Sequence, residues 1–315
     1  MILSCGDALI DFVPATTSQG RDALMPAVGG SCLNVAVGLA RLGAPTGFVG
    51  GLSTDLWGSM IADHAVASDV DLRYATRGDD QTTLAFVRIV AGESHYAFYD
   101  AATAARNWTY PRGRIPFETI DAVHVGSTTL VHDQGAAETG AMIADAGRSA
   151  TISFDPNCRP NLVNDKEAYR ARMDGFAAVA DMIKMSDVDF DYLHGHDRYA
   201  ERAEALLATG CKLFVVTRGP KGALAWHRSA GAVEIAAPAI NVVDTIGAGD
   251  SFQAALLFAL HKQGRLGKAE LPMMAEAELR RALSFAASCA AVTCTRPGAD
   301  PPRWSEMAAS WDALA

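Results

Sequence analysis

Asp244-Thr245-Ile246-Gly247-Ala248-Gly249-Asp250-Ser251-Phe252 is the stretch from which the rest of the chain can be read. The apolar run at 240–243 before it predicts a strand, and Ala254-Ala255-Leu256-Leu257-Phe258-Ala259-Leu260 after it predicts a helix. A tight turn that opens a helix collects unpaired backbone N–H groups at the positive end of the helix dipole, which makes a place for an anion. Gly247 and Gly249 permit backbone angles that let successive N–H groups converge on one charge. Asp250, in the first helical turn, faces the same spot. A carboxylate beside an anion hole makes chemical sense where a group between them loses a proton and gains a phosphoryl group. The expectation is therefore phosphoryl transfer, with Asp250 as the base and the amides of Gly247, Ala248, Gly249 and Asp250 around the migrating phosphate. Gly-Ala-Gly alone is equally an ordinary turn with an acidic residue at a helix start. The full run, with Asp at both ends, is what separates the two. It lacks the Gly-Lys-Ser/Thr ending of a P-loop.

Working outward, 315 residues can bury a large core, and a net charge of −9 speaks against a nucleic-acid or anionic-membrane surface. A local phosphate site survives that global sign, because backbone dipoles act at short range. The six cysteines are scattered with no C-x-x-C pair, which predicts reduced thiols of a cytoplasmic protein and no zinc site. Asp7 and Asp11 stand where an export signal needs an apolar run, and no apolar stretch is long enough to span a bilayer.

Strands are predicted at 2–5, 46–49, 122–125, 151–154, 182–185 and 212–216, and helices at 31–43, 57–67, 136–146, 165–180, 199–209, 275–294 and 305–314. Asn164 with Glu167 makes a capping pair for the helix at 165–180. Residues 223–227 and 233–235 form a late antiparallel meander. This alternation is the signature of an α/β fold, a doubly wound, mainly parallel sheet with helices on both faces. Ligands in such sheets sit beyond the C-terminal strand ends, and the polar clusters fall there: Gly6-Asp7, Gly126-Ser127, Asp155-Pro156-Asn157-Cys158-Arg159, Ser186-Asp187, Thr217-Arg218-Gly219 and Asp244-Thr245.

Two segments break the rhythm. Residues 82–90 and 94–99 alternate in polarity around Ala91-Gly92-Glu93, which predicts a β-hairpin. One face of its first strand carries Leu84, Phe86 and Arg88; the second carries Tyr96 and Phe98 on one face, with Ala97 and Tyr99 on the other. A hairpin needs a further strand or surface for stability, and 11–14 and 23–26 can supply strands, so it is read as a flap over a cleft or a dimer edge.

Several polar residues keep two readings. Asn34 is a capping amide or a hydrogen-bonding group for a hydroxylated ligand. Arg159 clamps phosphate oxygens or pairs with Asp155. Thr217 to Gly222 approaches a nucleotide or turns a hairpin. Ser186-Asp187-Val188-Asp189 suits a hydrated Mg²⁺, which takes few protein ligands, or simply caps a helix. His194-Gly195-His196 is assigned to a loop.

Together, Gly29-Gly30…Asn34…Leu39-Ala40-Arg41-Leu42-Gly43 and Asp244 to Asp250 resemble the two motifs of the ribokinase-type family of carbohydrate kinases. Asp155-Pro156-Asn157-x-Arg159, Lys184-x-Ser186 and Thr217-x-Gly219 match the pattern between them, and the resemblance runs from residue 2 to about 302. It implies a ribokinase-like α/β/α domain (1–10, 30–78 and 109–315) with a small β-lid (11–29 and 79–108). It also implies ATP, Mg²⁺ and phosphorylation of a primary sugar hydroxyl. Carried over, Asp250 is the base and Gly247 to Gly249 the anion hole. Asp11, Gly30 and Asn34 hold sugar hydroxyls, with Arg88, Phe98 and Arg159 also on the substrate. Lys184, Ser186, Thr217, Gly219 and Gly222 line the nucleotide. Asp244 and Thr245 neighbour a monovalent-cation site for K⁺, and Asp189 reaches Mg²⁺ through water. Lid-to-lid homodimers are expected.

Thr82 to Val87 with Phe98-Tyr99 looks most like the fructokinase branch, so fructose is the expected substrate. The alternatives are 2-keto-3-deoxygluconate, ribose, a nucleoside, or a binding protein that has lost catalysis. Three departures stand out. Asp189 replaces a metal-linked Glu, Asp100 stands where many fructokinases carry Arg, and Ala105-Arg106 stands for an Ala-Asp pair. Arg88 and Arg106 near the lid would favour an acidic sugar.

Overall fold

The computed structural model describes residues 1–90, 93–196 and 198–314. In chain order the first part holds β1 (Ile2–Cys5), β2 (Leu9–Thr16), β3 (Asp22–Gly29), α1 (Ser31–Arg41), β4 (Thr46–Val49), β5 (Gly51–Ser53), α2 (Leu56–Ala67), β6 (Thr76–Gly78), β7 (Thr83–Val90) and β8 (Glu93–Tyr99). There follow β9 (Ala122–Gly126), α3 (Asp133–Ala146), β10 (Thr151–Asp155), α4 (Lys166–Val179), β11 (Met182–Ser186), α5 (Asp187–His194) and α6 (Tyr199–Thr209). The chain ends with β12 (Leu213–Thr217), β13 (Ala223–His227), β14 (Gly231–Ile235), α7 (Ala248–Lys262), α8 (Glu276–Cys294) and α9 (Trp304–Asp312).

Eight strands form the main sheet in the order β14-β13-β12-β11-β10-β9-β1-β4. The six from β12 to β4 run parallel, and β13 and β14 add an antiparallel edge. Residues that alternate along each strand go to opposite layers. Ile2, Met182, Leu213 and Val215 pack with α1, α7 and α8. Their neighbours Leu3, Ile183, Phe214 and Val216 pack with α3, α4, α5 and α6. Both faces are therefore buried, which is the doubly wound arrangement expected from the alternation of elements. The chain leaves β1 for β4 on one side and later places β9 on the other, so the strand order reverses at β1. That is where such sheets open a crevice at their C-terminal ends. Among the described residues no helix is long and apolar enough to cross a membrane.

A second sheet, β3-β2-β7-β8, grows from the end of β1. Directly opposed residues share a face, and the register sets Asp11 and Phe98 opposite Ala85, and Tyr96 opposite Val87. The other face carries Phe12, Leu84, Phe86 and Tyr99. Phe12 stacks on Phe86 at 4.8 Å and meets Trp57 of α2 edge-on at 5.3 Å. Arg88 belongs to this second face, two residues beyond Phe86, and is exposed. The hairpin connection expected at Ala91-Gly92-Glu93 has its first two residues outside the described ones.

Three expectations need correcting. Residues 240–243 are not a strand: Val242 and Val243 are 60% and 62% exposed, and the segment is tied to the end of α8 by the Val243 N–H, which donates to the Cys294 carbonyl at 2.8 Å. The stretch after Ser186 is helix α5, whose last residue is His194, so the expected loop begins only at Gly195. The cap of α4 is Asp165, whose carboxylate accepts the Ala168 N–H at 3.0 Å, rather than Asn164.

Candidate active site

A cleft of about 840 Å³ lies across the C-terminal ends of β1, β9, β10, β11 and β12, walled on one side by β2 and β8 of the small sheet. The structure brings most of the candidate residues to it: Asp11, Gly30, Asn34 and Phe98 at one end, and Arg159, Lys184, Ser186, Asp189, Thr217, Gly219 and Thr245 towards the other. Gly247, Gly249 and Asp250 line it between them. Four candidates are not lining residues. Arg88 is on the opposite face of its sheet. Gly222 sits in the β12–β13 connection, packed against the backbone of Ile235 and Ala236. Ala248 has its N–H bonded to the Thr245 carbonyl at 3.2 Å. Asp244 turns both carboxylate oxygens to backbone, accepting from Ile246 N–H at 3.0 Å and Gly298 N–H at 2.8 Å.

Helix α7 is capped by Gly247, which adopts φ 74° with a Cβ position only 2.6 Å from Ala299 Cβ, so glycine is required there on both conformational and steric grounds. The first-turn amides of Gly249 and Asp250 lie where a helix has no acceptors of its own to offer. Both residues line the cleft, at the positive end of a helix of 15 residues. Of the amides expected around a phosphate, that of Ala248 is engaged in the turn.

Asp250 is buried, 9% exposed, yet borders the cleft. Its Oδ1 accepts from the Ser31 hydroxyl at 2.7 Å and its Oδ2 from the Asn34 side-chain amide at 2.9 Å. Both donors come from the first turn of α1. Burial pushes the Asp250 carboxyl up. The Ser31 and Asn34 hydrogen bonds, and the charges of Lys184 and Arg159, pull back without cancelling that rise. Burial is thus the dominant influence on this carboxyl group. Asn34 touches Asp250 itself, in addition to facing the cleft.

The start of α1 is fixed in turn by Asp7. Its Oδ1 accepts the Cys32 N–H at 3.0 Å, its backbone carbonyl accepts the Leu33 N–H at 3.2 Å, and its Oδ2 accepts the hydroxyls of Ser127 and Thr128 at 2.9 and 3.1 Å. Gly30, at φ 103°, lets the chain pass close over Asp7, whose carbonyl oxygen is 2.7 Å from where a Cβ would be. Ser31 is not marked out by the sequence, and Asp7 is marked only as part of a polar cluster at a strand end. Their role depends on pairs far apart in the chain, 219 residues apart for Ser31 and Asp250.

Beneath α7, Lys184 is buried and pairs with Asp155 at 2.8 Å, and it also donates to the Gly249 carbonyl at 3.3 Å. Burial opposes its charge, but Asp155 more than offsets this and the ammonium is held above its ordinary value. Asp155 is thus taken by Lys184 and not by Arg159. The Arg159 guanidinium folds onto the Asn157 side-chain and backbone oxygens at 2.7 and 3.0 Å. Asp189 accepts the Cys158 N–H at 2.9 Å and the Ser186 hydroxyl at 2.7 Å, closing a capping box at the start of α5. Its carboxyl is pushed up by burial and by the Asp155 charge. Asp11, facing the cleft from β2, is pushed up to about 6 by burial, against the pull of Arg159 and with help from Asp7 and Asp250. Among the described residues no three His, Cys, Asp or Glu side chains are grouped to hold a metal ion.

Beside Asp7, Phe98 and Thr128 the cleft continues into a water-sized recess of about 10 Å³. Asp100, Arg106 and His132 close it. Asp100 receives Arg106 at 3.2 Å and His132 at 2.5 Å. The two charge-reversed lid positions therefore pair with each other, and Arg106 is not a free cation.

The chain matches the model of the pfkB family of carbohydrate kinases over residues 1–306. It is 35% identical to a fructokinase of Rhizobium leguminosarum bv. trifolii over 280 residues, 89% of this chain and 86% of that one. In structure it resembles a fructokinase of Xylella fastidiosa with bound ATP, at TM-score 0.88 and 28% identity, covering 99% and 97% of the two chains. It also resembles a fructokinase of Vibrio cholerae O395 in a fructose-, ADP- and calcium-bound form, at TM-score 0.80 and 26% identity, covering 95% and 94%.

Proposed function

The chain belongs to the pfkB family of carbohydrate kinases and is a sugar phosphotransferase, and on that premise we propose that it moves the terminal phosphoryl group of ATP to a primary hydroxyl of fructose. The observation that carries the proposal is Asp250, a cleft-facing carboxylate held through both oxygens at the mouth of α7.

In the step proposed, the sugar oxygen bonds to phosphorus, the bond from phosphorus to the ADP oxygen breaks, and the hydroxyl proton passes to Asp250. The transition state of such transfers is loose, with charge spread over the phosphoryl oxygens, so positioning and electrostatics carry most of the catalysis. The amides of Gly249 and Asp250 and the Arg159 guanidinium face that charge, and Lys184 sets the field from below. An up-shifted Asp250 is the stronger base towards an alcohol that turns acidic only as the new bond forms. Asp11, Gly30 and Asn34 face the sugar, with Phe98 and Tyr96 as its apolar wall. The nucleotide lies along Ser186, Thr217 and Gly219.

The residues suit Mg²⁺ that arrives with ATP and keeps its waters and phosphate ligands; bound there, it would neutralise phosphate charge, with Asp189 near through water. K⁺ is assigned to the turn of Asp244 and Thr245. Residues 11–29 and 79–108 are taken as a lid on the 1–10, 30–78 and 109–315 body. The lid's outer face leaves Leu24 and Tyr99 47% and 64% exposed, a surface for a homodimer. The buried thiols suit a cytoplasmic setting.

One observation weighs against sugar acids: Arg106 is neutralised by Asp100, and Arg88 points away from the cleft. The test is a panel of fructose, ribose, 2-keto-3-deoxygluconate and a nucleoside with Mg-ATP, with and without K⁺, read by ADP release. The highest kcat/KM is expected on fructose. A better turnover on another member would overturn the sugar, and no sugar-dependent ADP release at all would overturn the kinase.

A further inference from the structure

We propose that Ser31 is a positioning residue for the phosphoryl-transfer step: its hydroxyl holds the Asp250 carboxylate in place and in its ionised form. This rests on the assignment of Asp250 as the base.

Ser31 borders the cleft, and its hydroxyl is already committed to Asp250. Its side chain is buried, 6% exposed, and its hydroxyl donates at 2.7 Å to Oδ1 of Asp250. It stands at the first position of α1, whose entry is locked by Gly30 and by two backbone N–H groups bound to Asp7. The hydroxyl is thus delivered by a fixed element and not by a mobile side chain. With Asn34 on Oδ2, the two donors set the plane of the carboxyl group, so its remaining lone pairs point at a defined place in the cleft. They also favour the charged form, since a hydrogen bond donated to a carboxylate stabilises the ion and not the neutral acid.

Such help matters here because burial works against ionisation. The charged groups coupled to Asp250 are Lys184 from β11, Arg159 after β10 and Asp11 from β2; Asp7 lies nearby, bound to the start of α1. All of them remain when the Ser31 hydroxyl is removed.

The experiment compares the wild type with Ser31→Ala, which deletes one buried atom, and with Ser31→Thr, which keeps the hydroxyl. Hydrogen bonds to charged groups are worth about 1.5–3 kcal/mol, so the acid limb of kcat should move up by about one pH unit or more in Ser31→Ala. Well below the limb, kcat at equal pH should then fall about tenfold. KM for the sugar should change little, and Ser31→Thr should restore the limb. A purely structural role would alter the melting temperature and leave the limb in place. Titration of the Asp250 carboxyl carbon by NMR in the empty enzyme should move in the same direction. It reads Ser31 even if the wild type phosphorylates none of the sugars offered, so failure of the functional assignment stays distinguishable. Superimposable acid limbs and titration curves in wild type and Ser31→Ala would overturn the proposal.

Discussion

Two carboxylates in the cleft share one difficulty. Asp11 and Asp250 are each removed from water, and the Asp250 charge further raises the affinity of Asp11 for a proton. For Asp11, burial outweighs the nearby Arg159, so the neutral form persists up to about pH 6. The sign follows directly. A raised folded-state pKa favours the folded protein at acid pH, and that contribution is lost as pH rises through about 6. Function should run the other way if Asp11 holds the sugar as proposed, because the ionised carboxylate accepts hydrogen bonds through both oxygens whereas the neutral acid turns one of them into a donor. The Kd for fructose should therefore weaken about tenfold for each pH unit below that value, and Asp11→Asn should flatten the profile. Equal, flat profiles in both proteins would remove Asp11 from the sugar. At this scale the sequence shows residue types better than partners. Asp250 and Gly247 stand out by their spacing and Asp7 by its place at a strand end, whereas Ser31 looks like an unremarkable small residue until the fold brings it against Asp250. The Asp100–Arg106 pair is a similar case: two charge reversals that read as separate departures cancel once they touch.

At the scale of elements, local signals set the type of each segment well and its neighbours poorly. The hairpin is a case in point. Its alternation is plain in the sequence, but which stripe faces the cleft depends on pairing β2 with β7, and that pairing turns Arg88 outward with Phe86. Helix α5 shows only its cap in the sequence, because its buried face is confined to Asp189, Phe190 and Leu193 within eight residues, too short for a helical period to declare itself. The run at 240–243 misleads in the opposite sense: it is apolar and β-branched, yet no strand of the main sheet is formed there and its side chains meet solvent. The start of α4 gives a direct check on cap assignment. Asp165→Ala should lower unfolding stability by about 1 kcal/mol, and Asn164→Ala should stay within about 0.5 kcal/mol, both by denaturant titration with activity unchanged. The reverse ranking would return the cap to Asn164.

Across the whole molecule, the chain builds a three-layer body whose strand order reverses at β1, and the reversal opens the cleft into which α1 and α7 present their N-terminal turns. The small sheet springs from the same strand, so the wall that carries Asp11 and Phe98 is tied to the floor that carries Asp7. This large-scale plan was the most readable part of the sequence, because alternating strands and helices allow few topologies and polar residues gather at one end of the strands. The long-range contacts that hold the carboxylates were the least readable. The most direct test of the account is turnover and fructose binding in Asp250→Asn, which preserves shape and removes the base. With Mg-ATP and fructose, kcat should fall by about a hundredfold to ten-thousandfold while the Kd for fructose stays within a few-fold of the wild type. Near-normal kcat in Asp250→Asn would contradict it.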